Sequence, residues 1–464
     1  MINRIEQKTA AGHLWANDAF FYHIYPLGLC AAPPVNDFAS APAARLEQLY
    51  RWLDPIQKLG ASALYLGPLF ESSAHGYDTA DYYRVDRRLG DNRLLSAFSK
   101  ELHRRGLRLV LDGVFNHVGR DFWAFRDLLA NRERSGYASW FQNLDFNRTS
   151  PYGDPFRYEG WSGHYDLVKL NLANPAVRDH LFGAVRLWIE DFEIDGLRLD
   201  AADQILPDFL TALGGVCRGL RPDFWLMGEM VFGDYHALLS QGGLDSVTNY
   251  EAYKGLYSSH NDRNYYEIAY TLNRQFGSQG LYRQSGLYSF ADNHDVDRIA
   301  SILKDPSHLY PLYILLFTMP GIPSVYYGSE WGLLGRRQPA SDAPLRPVLD
   351  PAQAQTLPQP YLADWVARLA GIRRNSPALR GGGYRELAVA PQQFAFLREH
   401  PEGAVVVAVN ASNAPAQIDV HLTVKKGWLE DLLQPGESLP VAGGQARLTA
   451  IPPNGGRILA LRAG

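Results

Sequence analysis

Three carboxylates in three short segments are the residues best suited to chemistry in this chain: Asp200 in GLRLDAAD, Glu229 in LMGEM and Asp295 in FADNHD. Each stands where a hydrophobic, β-rich run ends. Asp200 follows the alternation of Leu197 and Leu199, Glu229 follows Phe224-Trp225-Leu226-Met227, and Asp295 comes after Leu287-Tyr288-Ser289-Phe290. In a parallel barrel the carboxyl ends of different strands converge on one mouth. Three acids meeting there, with His and Arg alongside, would suit cleavage of a glycosidic bond. Cleavage with retention needs a carboxylate nucleophile and a carboxylic acid about 5–5.5 Å apart. The acid must carry a proton near neutral pH, whereas the nucleophile must stay ionised. Arg198 lies two residues before Asp200, and i and i+2 share one side of a strand, so its guanidinium can hold that charge.

Taken singly, each signal has an ordinary structural explanation. Arg198 and Asp200 could be a strand-end ion pair, Glu229 a helix-start residue and Asp295 an N-cap. His117 in DGVFNH could be a satisfied structural histidine, and Gly228 before Glu229 would let substrate approach the backbone. Their joint occurrence in this order is what separates the catalytic reading from the bland one.

The elements that would position these residues alternate. Strands are expected at 20–25, 63–66, 108–111, 196–199, 224–227, 246–249, 287–290 and 323–327, about eight in all. Helices are expected at 46–58, 94–105, 175–189, 207–218 and 309–318. Short turns join them, as parallel α/β folds require. The rhythm breaks at about 118–167, which is rich in Gly, Pro, Asn and aromatics. From about 384 helices stop, and short strands at 394–397, 404–409, 418–422 and 457–461 read as a separate all-β unit. The fold class is therefore α/β: a (β/α)8 TIM barrel with an excursion after strand three and a C-terminal β-sandwich.

Composition bounds the rest. The 464 residues allow two or three domains, and 46% hydrophobic residues can fill large cores. A net charge of −4 gives no electrostatic case for nucleic acid or an anionic membrane. Cys30 and Cys217 are far apart, so neither a disulfide framework nor a zinc site is indicated. The N-terminal MINRIEQKTAAGHLWAND has no apolar leader, and no run reaches the ~20 apolar residues of a membrane span. A cytoplasmic location is expected, although a chain with its leader removed would read the same.

Five segments resemble glycoside hydrolase family 13, the α-amylase family. They are DGVFNH (112–117), GLRLD (196–200), GEM with Glu229, NHD (293–295) and GIPSVYYGSE (321–330). HGYDTADYY (75–83) resembles the family's loop after strand two. The resemblance implies Asp200 as nucleophile, Glu229 as acid then base, and Asp295 as the third acid, which holds sugar hydroxyls. It implies that Tyr77 stacks under the reacting sugar and that His117, Arg198 and His294 bind it or orient the nucleophile. Arg298 is expected to bind the next sugar. The implied domains are a catalytic barrel at 1–117 and 168–380, a domain B at 118–167 and a C-terminal β-sandwich at 381–464.

Departures narrow the expectation. Many starch-degrading endo-amylases carry Lys-His at the third and fourth positions after the nucleophile, and here these are Asp203 and Gln204. Val168-Lys169-Leu170-Asn171 is similar to a segment of the neopullulanase, cyclomaltodextrinase and maltogenic amylase branch. That branch usually carries an extra N-terminal β domain used in dimerisation. Only about 18 residues precede the first strand here, so dimerisation of that type is not expected. Asn116 could offer its carbonyl to calcium, but with the His absent and Lys169 nearby no metal and no cofactor is expected. Ala201, by resemblance to α-glucosidases, leans toward α-1,4 rather than α-1,6 cleavage. The resulting expectation is a retaining α-glucan hydrolase acting on maltooligosaccharides, cyclodextrins or starch. The alternatives are a glucanotransferase with the same site, a sucrose- or trehalose-active relative, and a non-catalytic sugar-binding protein. The last predicts a lost carboxylate, and all three are present.

Overall fold

A computed structural model describes residues 14–339 and 341–464; residues 1–13, read above as lacking a leader, lie outside the described residues. Eight parallel strands form one sheet: β1 (Phe21–Ile24), β2 (Ala63–Leu66), β3 (Arg108–Gly113), β4 (Gly196–Leu199), β5 (Trp225–Gly228), β6 (Ser246–Val247), β7 (Tyr288–Phe290) and β8 (Ile322–Tyr326). They pair in the order β6-β5-β4-β3-β2-β1-β8-β7, and a parallel bridge from Thr248 to Tyr288 closes the barrel.

The strands are buried on both faces, and alternation decides which side chain goes where. Phe21, Tyr65, Val110, Trp225, Met227, Tyr288 and Ile322 fill the interior as one cluster. Tyr22, Leu64, Leu109, Leu197 and Leu226 belong to the larger core under the surrounding helices. Phe21 packs against Trp225 and Tyr288, with ring centroids 5.1 and 5.4 Å away. This filling makes the barrel interior a packed core.

Two helices differ from the expectation for local reasons. The segment expected as one helix over 46–58 is a 3-10 stretch, Arg45–Trp52, followed by an α-helix, Leu53–Leu59. Pro55 has no N–H and is tolerated only in a first turn, so the α-helix starts just before it. The next helix, Asn92–Arg104, begins two residues earlier than expected because the Asp91 side chain accepts from Leu94 N–H at 2.9 Å and caps it.

The excursion after β3 carries a small three-stranded sheet, in which His117–Gly119 pairs with His164–Lys169 and the latter with Gly160–Trp161. The C-terminal unit has eight antiparallel strands: β9 (Gly383–Val389), β10 (Gln393–His400), β11 (Gly403–Asn410), β12 (Ala416–His421), β13 (Lys426–Asp431), β14 (Ser438–Ala442), β15 (Gln445–Ile451) and β16 (Gly455–Ala463). Their order is β9-β10-β11-β16-β13-β14-β15-β12, and the edges β9 and β12 meet, so the sheet folds over its own core. Phe394, Phe396, Val405, Val407 and Val409 point instead to the barrel core, while Ala395, Leu397, Val406 and Ala408 face the sandwich. The sequence reading expected only four of these strands. Of the others, β13 alternates exposed and buried residues and lacks the apolar run it looked for.

Candidate active site

Arg198 is the hub of the barrel mouth. It lies on β4 in register with Asp112 of β3 and Met227 of β5, facing inward. Its Nη1 donates to Asp112 Oδ1 and to Asp200 Oδ1, each at 2.9 Å, and its Nη2 lies 2.7 Å from Glu229 Oε1. One buried guanidinium thus serves carboxylates from three adjacent strands. Exposure separates their tasks. The Arg198 and Asp112 side chains are 4% and 0% exposed, whereas Asp200, Glu229 and Asp295 retain 12, 13 and 28% and are the groups a ligand can reach.

Burial raises the Asp200 carboxyl well above the ordinary carboxylate range; Arg198 opposes this, and Glu229, Asp112 and Asp295 add to the rise. Burial therefore works against the Asp200 anion, and the Arg198 guanidinium is the group that opposes it. Glu229 follows β5 directly. Besides Arg198 it accepts from Ala201 N–H at 3.2 Å and from the Tyr250 hydroxyl at 3.3 Å. Ala201 adopts a left-handed conformation, φ 44°, which turns its N–H toward Glu229 immediately after Asp200.

Asp295 approaches from the loop after β7. Its Oδ2 lies 2.9 Å from His294 Nε2 and its Oδ1 accepts from Arg346 Nη2 at 3.0 Å. Burial works against its charge, but His294, Arg346 and Arg198 outweigh burial and hold the carboxyl well below the usual range. Asp200 and Asp295 are thus pushed apart although they share one mouth. The His294 ring is sandwiched between Tyr25 and Tyr77, at 5.8 and 5.6 Å and nearly parallel to both. The Tyr77 hydroxyl meets His294 Nε2 and donates to Asp112 Oδ2 at 2.9 Å.

His117 is neutral. Burial, with the charges of His75 and Lys169, pushes its imidazole down to about 3. Asn116 Nδ2 lies 3.2 Å from its Nδ1, and the Tyr77 backbone also reaches the ring. The His117 Nε2 has no hydrogen-bond partner among the described residues and lies 3.8 Å from Asp200 Oδ2. Trp161 from the excursion lies 5.6 Å from the same imidazole.

The structure therefore gathers Asp200, Glu229, Asp295, Tyr77, His117, Arg198 and His294 at one mouth. Arg298 is a correction. It is 0% exposed, and its donors go to Tyr327 O (2.6 Å), Ser329 Oγ (3.2 Å) and Leu345 O (2.9 Å), with Tyr326 stacked at 4.0 Å. It holds the segment after β8 and has no path to a sugar. Arg298→Leu should cost about 3 kcal/mol of stability by stranding those carbonyls. The check is a lower thermal midpoint with KM for maltotriose unchanged; a raised KM at an unchanged midpoint would return Arg298 to the cleft. Gly228 is a second correction. A Cβ there would meet Leu244 at 2.6 Å and Ala202 at 2.9 Å, so its bareness serves packing outside the barrel and not substrate approach.

Sequence reasoning missed the cation that does stand beside Asp295. Arg346 also donates to His294 O (3.1 Å) and Asp342 Oδ2 (3.1 Å) and lies over Tyr25 at 4.5 Å. Its only local sign is Asp342 four residues before it. Asp112 and Tyr250 were missed as well, although Asp112 opens the DGVFNH segment and Tyr250 follows the capping Asn249. Asp203 and Gln204 lie exposed in a 3-10 turn past Asp200, bonded to each other at 2.9 Å. The Asn116 carbonyl accepts from Leu170 N–H at 3.0 Å, and Lys169 pairs with Glu159 at 2.8 Å. Among the described residues no group of three or more His, Cys, Asp or Glu is gathered as for a metal ion. Among them, too, no helix is long and apolar enough to cross a membrane.

The chain is similar to known proteins over most of its length. The chain is 28% identical to a cyclomaltodextrinase of Geobacillus thermopakistaniensis over 95% of its own length and 76% of that protein. It is 30% identical to neopullulanase 2 of Thermoactinomyces vulgaris, over 95% of its length and 77% of the relative's. The solved structure of a cyclic α-maltosyl-(1→6)-maltose hydrolase from Arthrobacter globiformis superposes with a TM-score of 0.80 at 28% identity, covering 97% of this chain and 99% of that one. Residues 45–355 match the family model described as "Alpha amylase, catalytic domain". That match spans every strand end that supplies a carboxylate to Arg198, and the chain belongs to the α-amylase family of glycoside hydrolases, family 13.

Proposed function

We propose that this enzyme is a retaining α-glucan hydrolase that cleaves α-1,4-glucosidic bonds in maltooligosaccharides, cyclodextrins or starch. The observation that carries the reading is that Asp200 and Glu229, at the ends of adjacent strands, share the buried Arg198 guanidinium while both remain reachable. In the reactive state the proton sits on Glu229 and Asp200 is ionised against Arg198; Asp200 then attacks the anomeric carbon from the β face as Glu229 gives that proton to the glycosidic oxygen. The C–O bond breaks, the leaving sugar departs as an alcohol, and a β-glycosyl-enzyme remains. In the second step ionised Glu229 takes a proton from water, the water oxygen bonds the anomeric carbon, and Asp200 returns as a carboxylate.

The other residues act on the charge that develops. Arg198 stabilises Asp200 as it ionises and leaves. Asp295, held ionised by His294 and Arg346, accepts hydrogen bonds from sugar hydroxyls. The unpartnered Nε2 of His117 bonds the same sugar, and Tyr77 lies beneath it. Bonds that strengthen as the oxocarbenium-like state forms are the ones that accelerate reaction.

The substrate class is supported by relatives named for cyclic glucans and pullulan over nearly the whole chain. The test is chromatography of products from maltotriose, β-cyclodextrin, pullulan and soluble starch in parallel, with sucrose and trehalose beside them. Fast opening of β-cyclodextrin with weak attack on starch is the expected result. Rapid starch breakdown with cyclodextrin untouched would overturn the cyclic preference. Products longer than the maltotriose supplied would make the enzyme a glucanotransferase.

A further inference from the structure

One hydroxyl joins two of the three catalytic carboxylate loops. The helix Tyr250–Asn261 starts just past β6, and Asn249 caps it by accepting from Ala252 N–H at 3.0 Å. The cap fixes Tyr250 as the first helical residue, at the mouth between β5 and β7. Its ring is held edge-on by Phe290 of β7 at 5.0 Å and by Tyr253 at 6.2 Å. Its oxygen lies 3.3 Å from Glu229 Oε1 and 3.0 Å from Asn293 Nδ2.

Asn293 sets the direction of these bonds. The Asp295 backbone N–H donates to Asn293 Oδ1 at 2.8 Å, so the oxygen end of the amide is engaged and the NH2 end faces Tyr250. The Tyr250 oxygen accepts that bond, and its single hydrogen is left for Glu229. Burial, with the charges of Glu229 and Asp295, raises the phenol well above its ordinary value, so the hydrogen stays in place at working pH. The groups that face Glu229 are Arg198 and Asp200 from β4 and its end, the Ala201 N–H and Tyr250, while Asp112 and Asp295 act on the neighbouring Asp200.

We propose that Tyr250 is a positioning residue: aimed by Asn293, its hydroxyl holds the Glu229 carboxyl in place and favours the ionised form that must activate water in the second step. The inference rests on Glu229 being the acid/base. It also gives the Asn293 amide a task, since that one group ties the Asp295 loop to Glu229.

Tyr250→Phe removes only the hydroxyl and keeps the ring packing. A donor to the ionised form lowers a carboxyl pKa, so its loss raises it. The alkaline limb of kcat/KM, which reports the protonated acid, should move up by about 0.5–1 pH unit, the worth of one hydrogen bond. On a substrate whose second step limits, kcat and KM should both fall about tenfold, leaving kcat/KM below the alkaline limb nearly unchanged. Asn293→Asp offers Tyr250 an acceptor in place of a donor, turns the hydroxyl hydrogen away from Glu229, and should move the same limb in the same direction. General structural damage would lower activity at every pH without moving the limb. Limbs superimposable on the parent's in both variants would overturn the proposal while leaving Glu229 as acid/base, provided azide rescues Glu229→Gln. Absence of that rescue would remove the acid/base assignment and the proposal together.

Discussion

Asp200→Asn is expected to abolish turnover of β-cyclodextrin and maltotriose, by on the order of 10⁴-fold or more in kcat, with the fold intact. The amide cannot form the covalent ester, and Arg198, His117 and Asp295 cannot replace it because none can attack the anomeric carbon. The same substitution has a stability signature of opposite sign. Burial raises the Asp200 carboxyl in the folded state, so the folded protein binds this proton more tightly than the unfolded chain does. The stability that this group contributes is therefore full below the ordinary aspartate pKa and is lost as pH rises toward its folded value. Asparagine escapes that loss. The variant should show a thermal midpoint at or above the parent's at pH 7, with the difference shrinking as pH is lowered to about 4. Substantial residual hydrolysis would remove Asp200 from the nucleophile role. A lower midpoint at pH 7 would mean that the Arg198 bond outweighs the burial of the charge.

Glu229→Gln should separate the two chemical steps. Natural sugars are poor leaving groups and need the proton, so their kcat/KM should fall by about 10²–10⁴. An activated aryl maltoside leaves without help and should still form the glycosyl-enzyme quickly. The second step then stalls, because no base activates water. Azide needs no deprotonation and should restore turnover, giving an α-glycosyl azide. Burst kinetics with the aryl substrate and identification of the azide product check both halves. Equal loss for every leaving group, with no azide effect, would argue against the acid/base role. The contacts to Arg198, Ala201 and Tyr250 survive in the amide variant in altered form, so the carboxamide should occupy the same place.

The part of this site that was legible in the sequence is the part carried by single strands and their ends. Leu197-Arg198-Leu199-Asp200 states its own geometry: alternation sends the leucines to the helices and the two charged residues to the mouth. Phe224–Met227 and Tyr288–Phe290 deliver Glu229 and the Asn293-His294-Asp295 segment by the same logic. A period-two pattern with a polar residue at its end is local information, so no tertiary knowledge was needed to place these side chains.

The choice of arginine beside Asp295 was a different matter. Arg298 follows the NHDVD segment closely, and proximity in sequence made it the natural candidate. The fold buries it under the segment after β8, because Arg298 stands at the start of the short helix Ile299–Ile302 and its guanidinium meets the carbonyls of Tyr327 and Leu345. Arg346 comes from an irregular stretch with no periodicity and reaches Asp295 only because that stretch folds back over the mouth. Gly228 was misread for the same reason, since which face of β5 carries its missing Cβ depends on Leu244 and Ala202 arriving from elsewhere. By itself the sequence determined the barrel, the three acids and the guanidinium between two of them, because strand periodicity is written along the chain. Only the tertiary structure decided which arginine guards Asp295 and which hydroxyl reaches Glu229. Those contacts join residues from separate loops, and no spacing along one segment encodes the distance between two.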